Sequence, residues 1–363
     1  MPVPESDLRP GISAVVCCHN SAAVIVPTMR ALAAQRLPCG CGFEVILVDN
    51  QCTDGTVSLA TGAWEGVREG HSLRVVEERT PGLIHARRKG VAKARFDIVL
   101  FIDDDNILAP DGAGTLLSLY RRQPLAAGVG GFVEPLFAAE KPSWFDAVAG
   151  TFACTPPGPA AELSGTMDTM SGAGISFRTA PLLSLFHSSL PLFLVGRKGD
   201  ALSRGEDSEL CLRLRLQGGE LRYEPSFRLR HALRADRLTW DYVLQARQWY
   251  GKADVILRIY RDLLAGLAPP PYADRLRQVE SRWQRLQATA GAAVPGAAEG
   301  SRQALKRSFL LGQRQGLLEI GADGFESIRQ AITGFFPAAQ NATAAGLPRR
   351  KGAGPGAGED REP

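Results

Sequence analysis

The sequence lacks long apolar runs: nowhere does it contain about eighteen or more consecutive apolar residues, the length that a membrane-spanning helix needs. Its first residues contain no apolar core of the kind found in secretory signals. Its seven cysteines include no CxxC pair, and an odd number does not suit a disulfide framework. We therefore expect a cytoplasmic protein with reduced thiols, in at most peripheral contact with the inner face of a membrane.

An excess of one charge sign is also lacking. The chain has 42 Lys and Arg against 38 Asp and Glu, a formal net charge of +4. This weak excess gives little support to nucleic-acid binding and fits an anionic small substrate or a weak attraction to an anionic membrane. With 45% hydrophobic and 22% charged residues, the 363 residues have ordinary globular composition and suffice for one large domain or two.

Strand-like and helix-like segments alternate along the first hundred residues. The predicted strands are Ile12–Cys17, Phe43–Val48, Leu73–Val76 and Asp97–Ile102, and the predicted helices are Val24–Gln35, Val57–Val67 and Arg87–Arg95. This alternation predicts right-handed βαβ units and an α/β fold with a mostly parallel sheet. Ligands bind at the carboxyl ends of such strands, where Asn20, Asp49 and the aspartates 103–105 stand.

The second part of the chain is less regular. Short strands are predicted at Ala126–Val133, Ser171–Phe177, Leu221–Pro225 and Phe227–His231, helices at Glu206–Gln217 and Leu238–Leu264, and a loop region at 138–168. Three prolines at 269–271 end the predicted main domain. We therefore expect a tail at 1–10, a catalytic domain at 11–267, a helical extension at 268–337 with a loop around Ala292–Gly300, and a disordered tail at 338–363.

Three adjacent aspartates, Asp103, Asp104 and Asp105, follow the fourth predicted strand. Their charges repel one another, so folding alone does not favour the cluster, whereas a divalent cation removes this penalty. Hard carboxylate ligands suit Mg²⁺ or Mn²⁺. In an extended segment Asp103 and Asp105 would point to the same side and hold one ion between them and a diphosphate. The alternative is a solvated acidic turn.

Two further acidic positions follow the second predicted strand. Asp49 at the strand end can accept hydrogen bonds from a nucleobase or a ribose hydroxyl. Asp54, in the turn that leads into the next helix, has two interpretations of equal weight, a ligand contact and a helix cap.

Glu206 and Asp207 begin a predicted helix. One interpretation is simply favourable acids at the positive end of a helix dipole. The other is a general base that takes a proton from an acceptor hydroxyl, which is worth roughly a hundred- to ten-thousand-fold in rate.

The ordered segments VVCCHN, VDNQCTDGT, GLIHARRKGVAKARFDIVLFIDDDN, SGAGISFR and GEDSEL resemble family 2 glycosyltransferases of the GT-A (Rossmann-like) fold. The resemblance covers about residues 11–260 and implies a nucleotide-diphosphate sugar donor. It implies that Asp49 contacts uracil or ribose, that Asp54 is the family's second acidic position, and that Arg87 lies near the nucleotide. Arg88 stands where the family usually has asparagine.

The same resemblance assigns the remaining positions. Asp103 and Asp105 match the outer residues of a DxD motif, in which Asp105 would ligate the metal, with Asp104 between them at the donor. Gly172 and Gly174 match a small-residue loop beside the donor sugar and the acceptor. Asp207 matches the aspartate of an ED pair and would be the catalytic base of an inverting transfer.

Basic residues after the predicted strand 227–231 are further candidates. His231 would ligate the metal or support the diphosphate, with an ordinary surface histidine as the alternative. Arg234 and Arg237 would neutralise the diphosphate as bidentate donors, with a solvated basic loop as the alternative.

The expected function is thus a metal-dependent, inverting glycosyltransferase that uses Mn²⁺ or Mg²⁺. We expect it to transfer one sugar, from a UDP-sugar by preference, to a glycan, lipid-linked or small-molecule acceptor in cell-envelope or extracellular glycan assembly. The alternatives are a nucleotidyltransferase and a non-catalytic sugar-nucleotide-binding or scaffold protein. The C-terminal helices, with Lys306, Arg307, residues 309–311 and Phe335–Phe336, would either rest on a membrane surface or a partner chain, or cap the catalytic core.

Overall fold

The centre of the fold is a set of parallel strands formed by the apolar, β-branched segments of the first hundred residues. The computed structural model describes residues 8–65, 71–159, 163–196, 204–289 and 300–337. The strands are β1 (Arg9–Cys18), β2 (Gly42–Asp49), β3 (Ser72–Glu77) and β4 (Phe96–Asp103). They lie in the order β3-β2-β1-β4, and each neighbouring pair is parallel. All four predicted strands are therefore confirmed, each slightly longer than predicted.

The second half of the sheet comes from the later part of the chain. Its strands are β5 (Asn106–Leu108), β6 (Ala126–Phe137), β7 (Gly165–Thr166), β8 (Ser176–Arg178) and β9 (Glu220–Leu233). They continue the order as β4-β8-β6-β9-β5, with β7 paired to β9. The long β6–β9 pairing is parallel, whereas β8 is antiparallel to both β4 and β6. The sheet is thus mixed and mostly parallel.

Helices cover both faces of this sheet. They are α1 (Ile25–Ala33), α2 (Thr56–Glu65), α3 (Leu83–Val91), α4 (Gly112–Arg122), α5 (Thr179–His187), α6 (Glu206–Leu216), α7 (Trp240–Leu264), α8 (Tyr272–Thr289) and α9 (Arg302–Phe335). Side chains alternate across β1, so that Ala14 and Val16 pack in one apolar cluster and Val15 in the other. Because both faces are covered, the central strands are mostly apolar, and the buried Ser13 donates a hydrogen bond to Glu44 at 2.7 Å. The predicted α/β class with a C-terminal helical extension is confirmed.

Several predicted boundaries are wrong for local reasons. Helix α3 runs four residues earlier than predicted, because Gly82, with φ of 130°, makes the turn that starts it. The strand predicted at 171–177 is reduced to β8, since Gly174, with φ of 67°, holds the preceding residues in a loop. The pieces predicted around Pro225 are one strand, β9, with an irregularity in its pairing there.

Other elements of the fold were not predicted. The prediction contained neither α4 nor α5, and the predicted loop at 138–168 includes a short 3-10 helix, Phe145–Phe152, and β7. Strand β1 already begins at Arg9, inside the predicted tail, where its N–H donates to the carbonyl of Arg95 at 3.1 Å. The predicted loop at 292–300, apart from its last residue, and the predicted tail from 338 lie outside the described residues.

The C-terminal extension consists of α8 and α9, in which α9 packs against α7 and α8 packs on α9. Two glycines allow α7 and α9 to approach closely: a Cβ on Gly251 would lie 2.1 Å from the Phe309 carbonyl oxygen, and one on Gly312 would lie 1.9 Å from that of Gln248. Phe309, Leu310 and Phe336 are only 5%, 6% and 7% exposed, so they are core residues rather than a membrane-facing surface. Among the described residues, no helix combines the length and apolarity that a membrane span needs.

Candidate active site

A cleft of about 570 Å³ opens at the carboxyl ends of β1 and β4. Residues from both halves of the chain line it. The acidic members are Asp103, Asp104, Asp105, Glu206 and Asp207, and the basic members include Arg87, Arg204, His231 and Arg237. The aspartates after β4 and the acidic pair at the start of α6 are thus brought into one cavity, although about a hundred residues separate them in sequence.

The three aspartates do not continue the strand. Strand β4 ends at Asp103, and residues 104–105 form a turn, so the expectation that Asp103 and Asp105 lie along one extended segment is wrong. The Asp103 carboxylate is 3.8 Å from Arg87, whereas Asp105 faces His231 and Arg237. Asp104 accepts a hydrogen bond from Ser21 Oγ after β1, and burial raises its pKa to about 7.

The contact between Asp105 and His231 is the most informative geometry in the cleft. His231 Nδ1 lies 2.8 Å from the carbonyl oxygen of Phe152, and since that oxygen can only accept, Nδ1 carries the hydrogen. Nε2 then faces Asp105 Oδ1 at 3.3 Å. Two acceptor atoms would repel there, so a proton or a metal cation is required between them. Burial alone lowers the pKa of His231, but its contacts with Asp105 and Cys154 raise it to about 10.

The orientation of Asp105 is set by its neighbours. The side-chain amide of Asn106 donates to Asp105 Oδ1 at 3.1 Å, and Arg237 Nη1 lies 3.6 Å from Asp105 Oδ2. Asn106 itself is completely buried at the start of β5, which pairs with β9 beside His231. The short β5 ladder therefore holds Asp105 against His231.

Arg87 connects the two acidic groups. It is 2% exposed, stacks on the ring of Phe101, and lies between Asp103 and Glu206, with Nη1 3.4 Å from Glu206 Oε1. Burial and the neighbouring Asp207 raise the pKa of Glu206 to about 7, although Arg87 opposes this shift. Glu206 thus forms a buried ion pair, which leaves Asp207 as the half-buried carboxylate at the start of α6.

Asp207 stands beside the glycine loop that precedes β8. A Cβ on Gly172 would lie 3.3 Å from Asp207 Oδ2 and 2.8 Å from Arg87 Nη2, so a side chain here would press on both charged groups. One residue before α6, Gly205 has a φ of 102°, which positions the acidic pair at the positive end of the helix.

The remaining predicted residues lie outside the lining of the cleft. Asn20 accepts from Thr53 N–H, Asp49 accepts from Cys52 N–H, and Asp54 accepts from the backbone of Ala22 and of Thr56. These bonds tie together the loops after β1 and β2, and those of Asp54 suit its capping interpretation. Gly174 packs on Leu229, and the exposed Arg234 pairs with Asp236.

Some residues of the cleft were not among the sequence candidates. Arg204 donates to the hydroxyls of Tyr242 and Tyr250 on α7, at 2.7 and 3.0 Å, and all three line the cleft. Asn50 and Gln51, next to Asp49, also line it. Arg204 lies three residues before Asp207, but its tyrosine partners lie far along the chain, so no local pattern reveals them.

The charge balance of the cleft bears on a bound cation. Five acidic side chains line it against three guanidinium groups, and burial raises the pKa of two of these acids, Asp104 and Glu206, to about 7. Among the residues that the structure describes, no three His, Cys, Asp or Glu side chains converge on one point. Asp105 and His231 therefore fit a cation that completes its coordination with water and phosphate oxygens.

This fold and cleft define an α/β protein that receives its ligand at the carboxyl ends of parallel strands. Residues 13–138 match the profile described as Glycosyl transferase family 2. This match lies in the part of the chain that carries most of the motifs, and it confirms the resemblance drawn from them.

Two curated proteins share part of this sequence. The "Glucosyl-dolichyl phosphate glucuronosyltransferase" of Haloferax volcanii is 30% identical over 172 residues, 47% of this chain and 54% of that protein. The "Putative glycosyltransferase EpsH" of Bacillus subtilis is 26% identical over 102 residues, 28% of each chain. The chain thus spans about half the length of the first relative and about a quarter of the second.

Solved structures with similar architecture include S. aureus TarS 1-349 in complex with UDP-GlcNAc, with a TM-score of 0.48, 14% identity and coverage of 94% of this chain and 93% of that one. The mannosyltransferase PcManGT from Pyrobaculum calidifontis, in complex with GDP-Man and Mn²⁺, has a TM-score of 0.45, 18% identity and coverage of 96% and 79%.

Proposed function

We propose that this chain is a metal-dependent inverting glycosyltransferase that moves a sugar from a nucleotide-diphosphate donor, by preference a UDP-sugar, to an acceptor hydroxyl. One observation carries the proposal: the acidic turn after β4 and the acidic start of α6 line a single cleft. The match of residues 13–138 to family 2 supports it independently.

The donor would lie across the carboxyl ends of β1, β2 and β4. Asn50 and Gln51 at the β2 end line the cleft and are suited to the nucleoside, with Asp49 behind them. Arg237, beside Asp105, is suited to a diphosphate because a guanidinium donates two parallel hydrogen bonds to phosphate oxygens. The sugar would then extend towards Gly172, where no side chain intervenes before Asp207.

Asp105 and His231 would hold the divalent ion. A bound cation stabilises the negative charge that develops on the departing nucleoside diphosphate. The hydrogen bond from His231 Nδ1 to Phe152 fixes the ring so that Nε2 faces Asp105. A site with one imidazole and one carboxylate suits Mn²⁺ better than Mg²⁺, which takes oxygen ligands almost exclusively.

Asp207 would act as the general base. Its carboxylate accepts the proton of the acceptor hydroxyl while that oxygen forms a bond to the anomeric carbon of the donor sugar. The bond between this carbon and the diphosphate oxygen breaks, its electron pair stays with the nucleoside diphosphate, and attack from the opposite side inverts the configuration. Glu206, paired with Arg87, would position α6 and its aspartate.

The acceptor belongs to the glycan, lipid-linked or small-molecule class that the sequence suggests. The name of the Haloferax volcanii relative includes a dolichyl phosphate, which supports the lipid-linked choice. Such an acceptor would bring the protein to the inner face of a membrane, in cell-envelope or extracellular glycan assembly.

The test compares Asp207→Asn with Asp111→Asn, an exposed aspartate at the start of α4 that does not line the cleft. With a panel of sugar nucleotides, Mn²⁺ and candidate acceptors, we expect the first variant to bind donor normally and to lose transfer by at least about a hundred-fold. The control should keep normal turnover. Near-normal turnover of Asp207→Asn would reject this aspartate as the base.

A non-catalytic sugar-nucleotide-binding protein is the second candidate. It predicts donor binding without release of nucleoside diphosphate under any acceptor tested. A nucleotidyltransferase would instead release pyrophosphate from a nucleoside triphosphate and a sugar phosphate, so the product formed distinguishes all three.

A further inference from the structure

A second and larger cavity, of about 1070 Å³, lies between α7, α8 and α9. Its remaining wall is the segment Thr166–Thr169, which precedes the glycine loop of the active-site cleft. We refer to this cavity as the basic groove, because six arginines line it: Arg258, Arg261, Arg275, Arg277, Arg282 and Arg285.

The charge of the basic groove is unbalanced. Its described lining contains three acidic residues, Asp168, Asp254 and Asp274, against the six arginines. The surrounding sequence has the same bias, since residues 272–314 contain eight Lys and Arg but three Asp and Glu, whereas the whole chain is almost balanced with 42 and 38. The positive charge of this protein is therefore concentrated around this cavity.

The acids of the groove already have basic partners. Asp168 pairs with Arg215 at 2.8 Å, Asp254 with Arg261, and Asp274 with Arg277. Asp262, behind the wall, contacts both Arg275 and Arg258. When Arg215 and Asp262 are included, the described residues in and next to the groove still comprise seven arginines and four aspartates.

The geometry of α8 arranges this charge along one line. Arg275, Gln278, Arg282 and Arg285 follow the spacing of one helical face, and all four line the groove. From the first to the last, the stripe extends about 15 Å along the helix. Arg258 and Arg261 approach from α7, on another wall. Donors on separate walls suit a tetrahedral phosphate, whose oxygens point in several directions, better than a planar carboxylate.

The basic groove and the active-site cleft are adjacent. Thr169 lines the groove and Ser171 lines the cleft, so the two cavities are separated along the chain by Met170 and by at most about 7 Å. Helix α7 also joins them, because Tyr250 faces the cleft and Asp254, one turn later, faces the groove. A ligand held in the groove can therefore reach the surroundings of Asp207.

We propose that the basic groove binds phosphate groups of the acceptor and thereby presents its hydroxyl to the cleft. This assignment rests on the proposed glycosyltransferase function and adds a substrate class to it: an acceptor that carries phosphate, either as a repeated ester in a polymer or as the headgroup of a lipid. The phosphate is held outside the cleft and takes no part in bond making.

The experiment measures binding of inorganic tripolyphosphate to the full chain by calorimetry, with a chelator present so that no divalent ion mediates it. The Arg282→Glu/Arg285→Glu variant is compared with Arg36→Glu/Arg122→Glu, which changes the net charge equally at exposed arginines that line neither cavity. We expect at least about tenfold weaker binding in the groove variant and a change within about twofold in the control. Thermal unfolding verifies that both variants fold.

Equal weakening in both variants would overturn the assignment, because the attraction would then be general. Butanetetracarboxylate is a polyanion without phosphate groups. If it bound as tightly as tripolyphosphate, the assignment of phosphate as the ligand would be wrong. Binding to vesicles of phosphatidylglycerol and phosphatidylcholine distinguishes the two sources of the phosphate group. If the unmodified chain binds the vesicles and the groove variant does not, the phosphate is a lipid headgroup. If the chain binds tripolyphosphate but not the vesicles, the phosphate is soluble or part of a polymer. Both results support the groove.

A separate measurement keeps the two proposals apart. Stabilisation of the unmodified chain by UDP-sugars in the presence of Mn²⁺ tests the donor cleft alone. Tripolyphosphate binding at the groove without any donor binding would reject the proposed function and leave the phosphate site standing. Donor binding without groove-dependent tripolyphosphate binding would reject the phosphate site only.

Discussion

The active-site cleft and the basic groove are neighbouring cavities with opposite charge and different burial. In the cleft, Arg87, Asp105 and Glu206 are 2%, 6% and 7% exposed, and each contacts an opposite charge or a histidine. In the groove, Arg277 and Arg285 are exposed to solvent. The cleft therefore depends on its charges as a set, whereas the groove combines exposed arginines with the buried Arg275, which pairs with Asp262.

This difference has an energetic consequence. Removing one member of a buried ion pair leaves the other charge uncompensated in a low-dielectric site, which is costly. Removing one member of an exposed pair changes little, because water replaces the partner. Stability measurements can thus separate the two cavities, while binding measurements separate their ligands.

The largest effect is expected from Arg87→Met, which leaves Glu206 buried without its partner. We expect a loss of about 3–5 kcal/mol in the free energy of unfolding, measured by urea denaturation. The control, Arg277→Met, removes an exposed partner of Asp274 and should change this free energy by less than about 0.5 kcal/mol.

Adding Glu206→Gln to Arg87→Met should restore part of the loss, since a neutral amide is cheaper to bury than an unpaired carboxylate. Similar losses of unfolding free energy in the Arg87→Met and Arg277→Met variants would contradict the distinction between the buried ion pair of the cleft and the exposed ion pair of the groove.

Asp105→Asn should have the next largest effect, on donor binding. The substitution keeps the shape of the side chain but removes the negative charge that faces His231. We expect donor affinity in Mn²⁺ to fall by about a hundred-fold, equivalent to about 2.7 kcal/mol. A titration of donor at several Mn²⁺ concentrations measures this change, with Asp111→Asn as the control. Unchanged affinity would exclude Asp105 as a metal ligand.

An intermediate effect is expected in the wall that α7 and α9 form beside both cavities. Gly312→Ala places a methyl group against the Gln248 backbone and should destabilise the protein by about 1–3 kcal/mol. Gly334, in the same helix, has no atom within 4 Å of the added Cβ. Gly334→Ala should therefore stabilise by up to about 1 kcal/mol. Urea denaturation measures the change in unfolding free energy of each variant. A change of the same sign in both variants would contradict this prediction.

The last effect is a dependence of stability on pH. Burial, followed by the charge of Asp207, raises the folded-state pKa of Glu206 from 4.5 to about 7. The folded state then holds this proton more tightly than the unfolded state, so its contribution is present below about pH 4.5 and is lost as the pH rises to about 7.

Glu206→Gln should remove this decrease, which unfolding experiments at several pH values between 4.5 and 7.5 would measure. If the stability of the variant decreased by the same amount over this pH range, other titratable groups would be responsible for the decrease.

The local sequence predicted the parallel half of the fold well. Apolar residues that recur every second position indicate strands, and those that recur every three to four positions indicate helices. Both patterns are local, so they identify β1 to β4 and most of the helices between them. The strand ends then place Asp103 at the rim of the sheet, and the start of α6 places Asp207. The second half of the sheet was less predictable, since β5, β7 and β8 have only two or three residues each.

Sequence alone thus determined the strand and helix alternation and the positions at which acidic side chains leave the elements, because these follow from local periodicity and strand ends. Only the tertiary structure decided that Arg87 joins Asp103 to Glu206, that a turn directs Asp105 to His231, and that arginines of α7 and α8 line one groove. These contacts join residues that are distant along the chain, and their geometry depends on how whole elements pack rather than on any local pattern.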